Sequence, residues 1–428
     1  MKVGFYSLGC KVNAYETEFL INEFKKKGYE IVSFNDIADI YIINTCSVTN
    51  SADQKSRKII REACKNKNAI VVVMGCYSQV KSDVVKDIDG VSIIIGNKDK
   101  NRVVELVEAY INNKEEFIDI QKLENTTFED MFIDKFENHT RAFVKIQDGC
   151  NNYCSYCIIP YTRGNVRSKR KEFVLDEVRA LVKNGYKEVV LTGIHTGHYG
   201  QDLKTYDFSD LLLELEEIDG LERIRISSIE IVELTDKFME VLKKSKKIVN
   251  HIHIPLQSGC DKILKLMNRR YDMNFYINKI NEIRNIRPDI AITTDVIVGF
   301  PDETDEDFNI TKENIEKLKF TELHVFPYSK REGTVAAKMP NQIDGNIKKQ
   351  RVKELIELSE KLKNNYYNKF INNEDYVLTE TIEDTFVVGH LSNYGKVKFI
   401  GNKNDLNKLI KVKLIEYKND IYLGNKID

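Results

Sequence analysis

The sequence predicts an α/β protein in three parts: a doubly wound parallel sheet, a partial (βα)6 barrel and a small all-β barrel. Apolar strand segments alternate with helical segments through most of the 428 residues, which favours parallel sheets covered by helices. Near the carboxyl end a long charged helical segment is followed by short strands between turns that contain Gly or Asn. Closely spaced strands of this kind are typical of a small barrel.

The first part, residues 1–115, carries three cysteines at equivalent places. Its strands are predicted at "KVGFYSLG", "YEIVSF", "IADIYIINTC", "AIVVVMGC" and "VSIIIGN", and Cys10, Cys46 and Cys76 each follow such a strand closely. In open α/β sheets the carboxyl ends of the strands line the ligand crevice. We therefore expect the three thiols to converge, although each could also be a small buried hydrophobic residue.

Residues 116–138 are acidic, polar and weakly periodic, and we interpret them as a linker. The middle part, residues 139–365, contains six predicted strands that alternate with helices and ends on a trailing helix. Six strand-helix units are too few for a closed eight-stranded barrel, so the pattern predicts a partial one. Chemistry in such barrels lies at the carboxyl ends of the strands.

A second set of cysteines follows the first strand of the predicted barrel. The stretch "DGCNNYCSYC" contains Cys150, Cys154 and Cys157, and thiolates at such spacing hold iron–sulfur clusters or zinc. A zinc site needs a fourth ligand, which His195 or His198 after the next strand could supply. Alternatively, three thiolates on a [4Fe–4S] cluster leave one iron free to bind a small molecule such as S-adenosylmethionine (SAM).

Local charge, rather than net charge, is the sequence's evidence for an RNA partner. The chain has 65 basic and 66 acidic residues, a net charge of −1, which does not indicate nucleic-acid binding. A basic run directly after the cysteine loop could contact RNA phosphates, or could be a solvated face. The predicted phosphate contacts are Arg163, Arg167, Lys169 and Arg170.

The last part, residues 366–428, is the predicted small barrel. Such barrels can bind RNA by stacking bases on aromatic side chains, for which Tyr394 and Phe399 are candidates unless they belong to the core. The chain has no uninterrupted apolar run long enough for a membrane span and no apparent secretory signal. We expect a cytoplasmic protein whose eight cysteines serve metal or redox chemistry rather than disulfides.

The order of these motifs resembles the radical SAM superfamily. A C-x3-C-x2-C loop follows the first strand, "LTG" follows the second, "HIHIPLQSG" the fourth and "DVIVGFPDET" the fifth. The resemblance implies a [4Fe–4S] cluster on the three loop cysteines. It also implies SAM contacts from Tyr156, Gly193, Glu230, Gln257, Ile297 and Gly299.

The stretches "GCNNYCSYCIIPYTRG", "RISSIE", "LKLMNRRY" and "GFPDET" are similar to those of the methylthiotransferases within that superfamily. The resemblance implies a second [4Fe–4S] cluster on Cys10, Cys46 and Cys76, a radical SAM barrel and a C-terminal TRAM domain. It further implies two SAM molecules per turnover, an electron donor such as flavodoxin or ferredoxin, and a sulfur source. The chain departs from the family at Ile231, where Pro is usual, and at His195, where Asn is common.

The segment "LGCKVNAYETE" resembles the branch of the family that acts on tRNA bearing N6-threonylcarbamoyladenosine; the other branches tend to "GCQMN" or "GCPKN". The expected activity is addition of a methylthio group to C2 of that nucleoside at position 37. Two alternatives keep the enzyme class and change the substrate, to isopentenyladenosine in tRNA or to a ribosomal-protein side chain. A third is a non-enzymatic iron–sulfur or zinc protein that binds RNA.

Overall fold

A computed structural model of the chain describes residues 1–114, 116–123, 126–137 and 139–427. They form an N-terminal parallel sheet, a partial barrel of parallel strands and a closed C-terminal barrel, so the predicted fold class is confirmed. The boundaries predicted at residues 115 and 138 lie outside the described residues.

The N-terminal domain is a six-stranded parallel sheet covered by helices. Its strands are β1 (Lys2–Ser7), β2 (Glu30–Val32), β3 (Ile40–Thr45), β4 (Ile70–Gly75), β5 (Ile93–Ile95) and β6 (Phe117–Asp119). Its helices are α1 (Lys11–Lys26), α2 (Asn50–Ala63), α3 (Cys76–Val80), α4 (Ser82–Lys86) and α5 (Val103–Asn113). The strand order is β2-β1-β3-β4-β5-β6. Every residue of β3 and β4 is buried, as expected for a parallel sheet with helices on both faces.

The central domain is built from parallel strands and outer helices. Its strands are β7 (Arg141–Lys145), β8 (Gln147–Asp148), β9 (Arg167–Ser168), β10 (Glu188–Thr192), β11 (Arg223–Ile226), β12 (His251–His253), β13 (Ala291–Val298) and β14 (Glu322–Pro327). Its helices are α6 (Ile159–Arg163), α7 (Lys171–Lys183), α8 (Phe208–Glu216), α9 (Asp236–Lys244), α10 (Asp261–Leu266), α11 (Met273–Ile286), α12 (Asp305–Leu318) and α13 (Gly345–Asn368).

Six of these strands make the partial barrel. Two three-stranded parallel sheets, β7-β10-β11 and β12-β13-β14, are joined by parallel bridges from Ile224 to Ile248 and from Ser228 to His253. The short strands β8 and β9 pair antiparallel beside the barrel mouth. The cysteine loop and α6 lie between them in the chain, so this pair fixes both ends of the loop.

The described residues of the predicted linker, 116–123 and 126–137, pack against both neighbouring domains. Its first residues form β6, the edge strand of the N-terminal sheet. Farther along, Met131 and Ile133 are buried in the core that the first two domains share. The Tyr15 hydroxyl donates to the Met131 carbonyl at 2.8 Å, and the Ile133 amide donates to Glu177 at 2.9 Å. The segment thus connects the two domains while its sparse apolar residues pack between α1 and α7.

The C-terminal domain is a closed barrel with strand order β15-β16-β17-β19-β18. Its strands are β15 (Glu374–Glu383), β16 (Phe386–His390), β17 (Lys396–Ile400), β18 (Leu409–Lys418) and β19 (Ile421–Lys426). Arg223, at the start of β11, donates to the carbonyls of Tyr376 at 2.6 Å and His390 at 3.1 Å. The small barrel therefore docks where the strands of the large barrel begin, opposite the cysteine loop.

The two aromatic residues considered for RNA stacking are both used within the protein. Phe399 is fully buried in the core of the C-terminal barrel, so it offers no surface to RNA. The ring of Tyr394 lies 3.9 Å from the guanidinium of Arg225 and seals the junction of the two barrels. Among the described residues, none of the helices has the length and apolar character needed to cross a membrane.

Candidate active site

The three N-terminal cysteines lie at one edge of the sheet. Cys10 follows β1, while Cys46 and Cys76 come directly after β3 and β4, and these three strands are adjacent and parallel. Gly9 has a φ of +98°, and a Cβ there would lie 2.7 Å from the Cys46 sulfur. Gly75 has a φ of +104°, and a Cβ there would lie 2.6 Å from a backbone oxygen. Glycine thus permits the turns that bring the thiols together.

Neighbouring side chains hold this edge in place. The Asn13 amide donates to the carbonyls of Leu8 at 2.7 Å and Thr45 at 3.0 Å, which ties the ends of β1 and β3. Burial raises the pKa of the Cys46 thiol to about 11, and the nearby Cys76 and Cys10 add to the rise. Thiols brought together in this way suit a metal centre, whose binding displaces their protons.

The barrel cysteines lie on one anchored loop. The Cys150 amide donates to the Gly164 carbonyl at 3.0 Å. The Ser155 amide donates to the Met267 carbonyl at 3.0 Å, and the Ser155 carbonyl accepts from the Ala336 amide at 2.7 Å. The loop is therefore fixed by backbone contacts from three directions, which presets the positions of its thiols.

An arginine that sequence reasoning missed touches this loop. Burial raises the pKa of the Cys157 thiol to about 12, and the proximity of Cys154 adds to the rise. Arg269 donates to the Cys154 sulfur at 3.3 Å, and its other terminal nitrogen lies 2.8 Å from a Glu230 oxygen. Arg269 lies in the "LKLMNRRY" stretch. Its position as a basic residue inside a family motif was the feature of the sequence that could have identified it. Its cation favours the thiolate form of Cys154.

His195 and His198 lie beside Cys150 but do not complete a three-cysteine zinc site. The Nδ1 atom of His195 is 3.5 Å from the Cys150 sulfur, and the two imidazoles stack at 3.7 Å. Cys150 is the one loop cysteine whose ligand atom lies within 4.8 Å of both histidines in the described residues. Burial opposes ionisation of Glu233, but hydrogen bonds from both histidines outweigh it and lower its pKa to about 2. His195 is thereby held between Glu233 and the loop.

Ile231, the other position at which the chain departs from the family, is fully buried in the core.

A buried network of charges lies between the N-terminal domain and the barrel. Arg163 is 3.0 Å from Glu16 and 3.1 Å from Asp148. Lys145 lies 2.8 Å from Glu16 and 2.7 Å from Asp148, and Lys100 lies 2.5 Å from Glu16. Burial opposes ionisation of Glu16, yet the three cations hold its pKa well below the usual range. Arg167 also lies 3.7 Å from Asp148, so the cations of this network outnumber its carboxylates and leave positive charge in excess.

The burial of the basic run shows that most of its predicted RNA contacts were wrong. Arg163, Arg167 and Lys169 are 0%, 5% and 1% exposed. Arg163 belongs to the buried charge network, Arg167 lies 3.7 Å from Asp148, and Lys169 lies 2.7 Å from Glu177. Because α6 and β9 run between the first two domains, their cations neutralise buried carboxylates there instead of facing solvent.

Arg170 is the exposed member of the four predicted RNA contacts. It comes just before α7, and its guanidinium lies 4.6 Å from the centre of the Phe173 ring. Among the residues that the structure describes, it has no carboxylate partner. An RNA contact from Arg170 stays a prediction.

The residues predicted to bind SAM lie along the barrel mouth. Tyr156 and Ile297 pack against the same apolar cluster, which includes Phe300. Gly193 lines the interior cavity described next. Gln257 has a φ of +64°, and its carbonyl accepts from the Ile297 amide at 2.8 Å. Gly299 ends the same stretch, and its amide donates to a carboxylate oxygen of Glu303. Tyr156 and Ile297 are thus brought together, whereas Glu230 lies with Arg269 at the cysteine loop.

One cavity of about 890 Å³ connects the three domains. Gly9 and Cys10 line it from the N-terminal domain, Gly193 and Ser228 from the large barrel, and Tyr394 from the small barrel. The N-terminal cysteine edge and the interior of the barrel therefore open onto the same space.

Three residues of the cavity wall were not identified by the sequence analysis. His253 Nε2 lies 3.3 Å and His324 Nδ1 3.2 Å from Asp295 Oδ1, and their ligand atoms all lie within 4.8 Å of one another. Hydrogen bonds from the two histidines keep the pKa of Asp295 low, although burial opposes them. Polar residues at alternate positions of apolar strands, as in "HIHI" and "TTDV", were the signal that could have found them.

Comparison with known proteins defines the class of the chain. Residues 144–315 match the Radical SAM superfamily, and residues 2–96 match Uncharacterized protein family UPF0004. A solved structure, the radical SAM methyltransferase TsrM from Kitasatospora setae, shares the fold with a TM-score of 0.58 at 14% identity, over 76% of this chain and 74% of that one. The central domain is a radical SAM domain, for which SAM and a [4Fe–4S] cluster are the family's cofactors.

Curated relatives narrow the class. "Threonylcarbamoyladenosine tRNA methylthiotransferase MtaB" from Bacillus subtilis (strain 168) is 45% identical over 97% of this chain and 94% of its own length. "tRNA-2-methylthio-N(6)-dimethylallyladenosine synthase" from Carboxydothermus hydrogenoformans is 36% identical over 96% of each chain. The chain belongs to the radical SAM tRNA methylthiotransferase family.

Proposed function

We propose that this enzyme adds a methylthio group to C2 of N6-threonylcarbamoyladenosine at position 37 of tRNA. The observation that carries the proposal is the shared cavity, onto which Cys10 and the barrel interior both open. A reaction that joins radical chemistry at one cysteine set to sulfur chemistry at another needs such a common space. The higher identity to the B. subtilis relative favours the threonylcarbamoyl branch over the dimethylallyl branch.

Cys150, Cys154 and Cys157 would hold the radical SAM cluster. They fit it because they are three thiols on a rigidly anchored loop, and burial keeps the Cys157 thiol from ionising without a metal. When bound there, the cluster and SAM supply a carbon radical able to remove hydrogen from an unactivated C–H bond. Arg269, 3.3 Å from the Cys154 sulfur, supplies positive charge and fixes that ligand's orientation.

Cys10, Cys46 and Cys76 would hold a second [4Fe–4S] cluster, at which sulfur is methylated. The chemistry of the donor set supports this, because three thiols converge where the buried network has a positive charge in excess. Cys76 and Cys10 are close enough to Arg163 to raise its pKa further, after Asp148 and Glu16. The network would thus offset the negative charge of three thiolates in a buried place.

SAM would lie along the mouth of the barrel. Tyr156 and Ile297 offer an apolar surface for its adenine, since both pack on the Phe300 cluster. Gly193 and Gln257 would face the methionyl and ribose portions. The backbone of Gly299, held by Glu303, would complete the adenine contacts, while Glu230 would act by orienting Arg269.

The balance of the reaction requires further partners. One SAM molecule supplies the methyl group and a second accepts the hydrogen from C2, so two are consumed per turnover. An electron donor such as flavodoxin or ferredoxin and a source of sulfide would complete the cycle. The tRNA must present position 37 as an unstacked loop nucleotide to reach the cavity, and Arg170 is an exposed cation that follows β9, the strand after the cysteine loop.

The experiment that tests the function compares two modified tRNAs. The reconstituted enzyme is given reductant, sulfide and SAM, and nucleosides are analysed by mass spectrometry. We expect 2-methylthio product from tRNA bearing threonylcarbamoyladenosine and none from tRNA bearing isopentenyladenosine. The reverse preference, or activity on a ribosomal protein alone, would contradict the proposal.

A further inference from the structure

The cavity contains charged side chains that are already paired and two that are not. Lys363 lies 3.2 Å from Glu322 and 3.1 Å from Asp420, and all three line the cavity. Lys11 and Lys396 also line it, and neither makes an ion pair within the part of the chain that the structure describes. These two lysines are therefore free to meet an anionic group of a ligand.

The two lysines belong to different domains. Lys11 is the first residue of α1 and follows Cys10 directly, so it lies beside the N-terminal sulfur site. Lys396 begins β17 in the small barrel. Lys11 and His324 line the same cavity. The hydrogen bond to Asp295 raises the pKa of His324, and the positive charge of Lys11 partly opposes the rise.

The chemical structure of the substrate requires an anion-binding group near Cys10. Adenine C2 and C6 are both bonded to N1, so a base whose C2 faces Cys10 must present its N6 substituent within the same part of the cavity. A threonylcarbamoyl substituent ends in a carboxylate, whereas an isopentenyl substituent is hydrocarbon. A carboxylate removed from water is costly unless a cation meets it.

We propose that Lys11 binds the threonyl carboxylate of the substrate nucleoside, with His324, which lines the same cavity from β14, as a second donor. This rests on the proposed function and deepens it, because it assigns the recognition of the N6 substituent to particular residues. Lys11 is also the "K" of "GCKVN", one of the two positions at which the branch-specific segments differ.

The test uses anticodon stem-loop RNA in two forms. One carries threonylcarbamoyladenosine, and the other carries the same nucleoside with its carboxylate converted to a primary carboxamide. Binding to the full reconstituted chain is measured by fluorescence anisotropy, and turnover by mass spectrometry. We expect the unaltered enzyme to prefer the carboxylate form by roughly 10- to 100-fold, the range of one charge-assisted hydrogen bond.

Variants assign that preference to a residue. Lys11→Gln should lose the preference, Lys11→Arg should keep most of it, and His324→Asn should reduce it less than Lys11→Gln does. Lys396→Gln is the matched control, because it removes the other unpaired lysine of the cavity and should leave the preference intact. Iron content is measured for each variant; if Lys11→Gln loses iron, the result for His324→Asn decides.

The failures of this inference and of the function are distinguishable. Equal binding of the two RNA forms by the unaltered enzyme, or an intact preference in Lys11→Gln, overturns the role of Lys11 while the methylthio product still forms. Loss of the preference in Lys396→Gln alone assigns the carboxylate to Lys396 instead and also overturns it. Absence of methylthio product from the carboxylate RNA refutes the proposed function itself.

Discussion

The two cysteine triplets reach similar chemistry by different routes. Cys150, Cys154 and Cys157 share one short loop, and neighbouring backbone groups fix that loop. The N-terminal triplet comes from the ends of three separate strands and is assembled only when the sheet forms. A site encoded in a loop is visible as a spacing motif, whereas a site encoded in topology depends on the whole domain and on the charges buried beneath it.

The largest expected effect is at the loop triplet. Replacing Cys150, Cys154 and Cys157 together by Ala should abolish reductive cleavage of SAM, because the iron that binds SAM would have no ligands. Iron should fall by half, from about eight atoms per chain to about four. Both are measured after anaerobic reconstitution, as 5′-deoxyadenosine and as iron. Undiminished 5′-deoxyadenosine in this variant would refute the assignment of the loop.

The N-terminal triplet should behave differently. With Cys10, Cys46 and Cys76 changed to Ala, SAM cleavage should continue while methylthiolated nucleoside disappears, because sulfur donation is assigned to this site alone. The two products are quantified in the same reaction, with the unaltered enzyme as reference. If methylthiolated nucleoside still accumulates, these cysteines are structural and the two triplets do not divide the reaction.

The dependence of the topological site on buried charge can be tested with two arginines of one basic run. Arg163→Met would remove the guanidinium that donates to Glu16 at 3.0 Å and to Asp148 at 3.1 Å in a buried place, which costs about 3–5 kcal/mol of unfolding free energy. Arg170→Met is the matched control and should cost at most about 0.5 kcal/mol, since the side chain is exposed.

Urea denaturation of the full chain, followed by circular dichroism, measures both variants. Arg163→Met should also lose iron from the N-terminal site more than from the loop. Equal stability of the two variants would mean that the network is not a support for the domain junction.

The contrast also explains what could be predicted from sequence. The strand ends at Cys10 and Cys46 were predictable because apolar strands in alternation with helices imply a parallel sheet with one functional edge. The burial of Arg163 was not, because its partner Glu16 is 147 residues away in the chain and nothing local distinguishes a buried cation from a solvated one. His253 and Asp295 were missed for a similar reason: they meet only after the barrel closes.

The smallest expected effect concerns the exposed end of the basic run. Arg170→Gln should weaken tRNA binding only a few-fold at low salt, and should reduce the slope of log K against log salt by about 0.9, the value for one phosphate contact. Arg179→Gln is the control, because Arg179 is exposed on the same helix but already lies 3.1 Å from Asp176. Binding is measured by anisotropy across a salt series. If the slope is the same for both variants and the unaltered chain, the whole run is structural, and the cations that guide tRNA lie elsewhere on the surface. If only Arg170→Gln lowers it, one run of sequence serves two purposes: its buried members hold the domains together, and its exposed member meets the RNA.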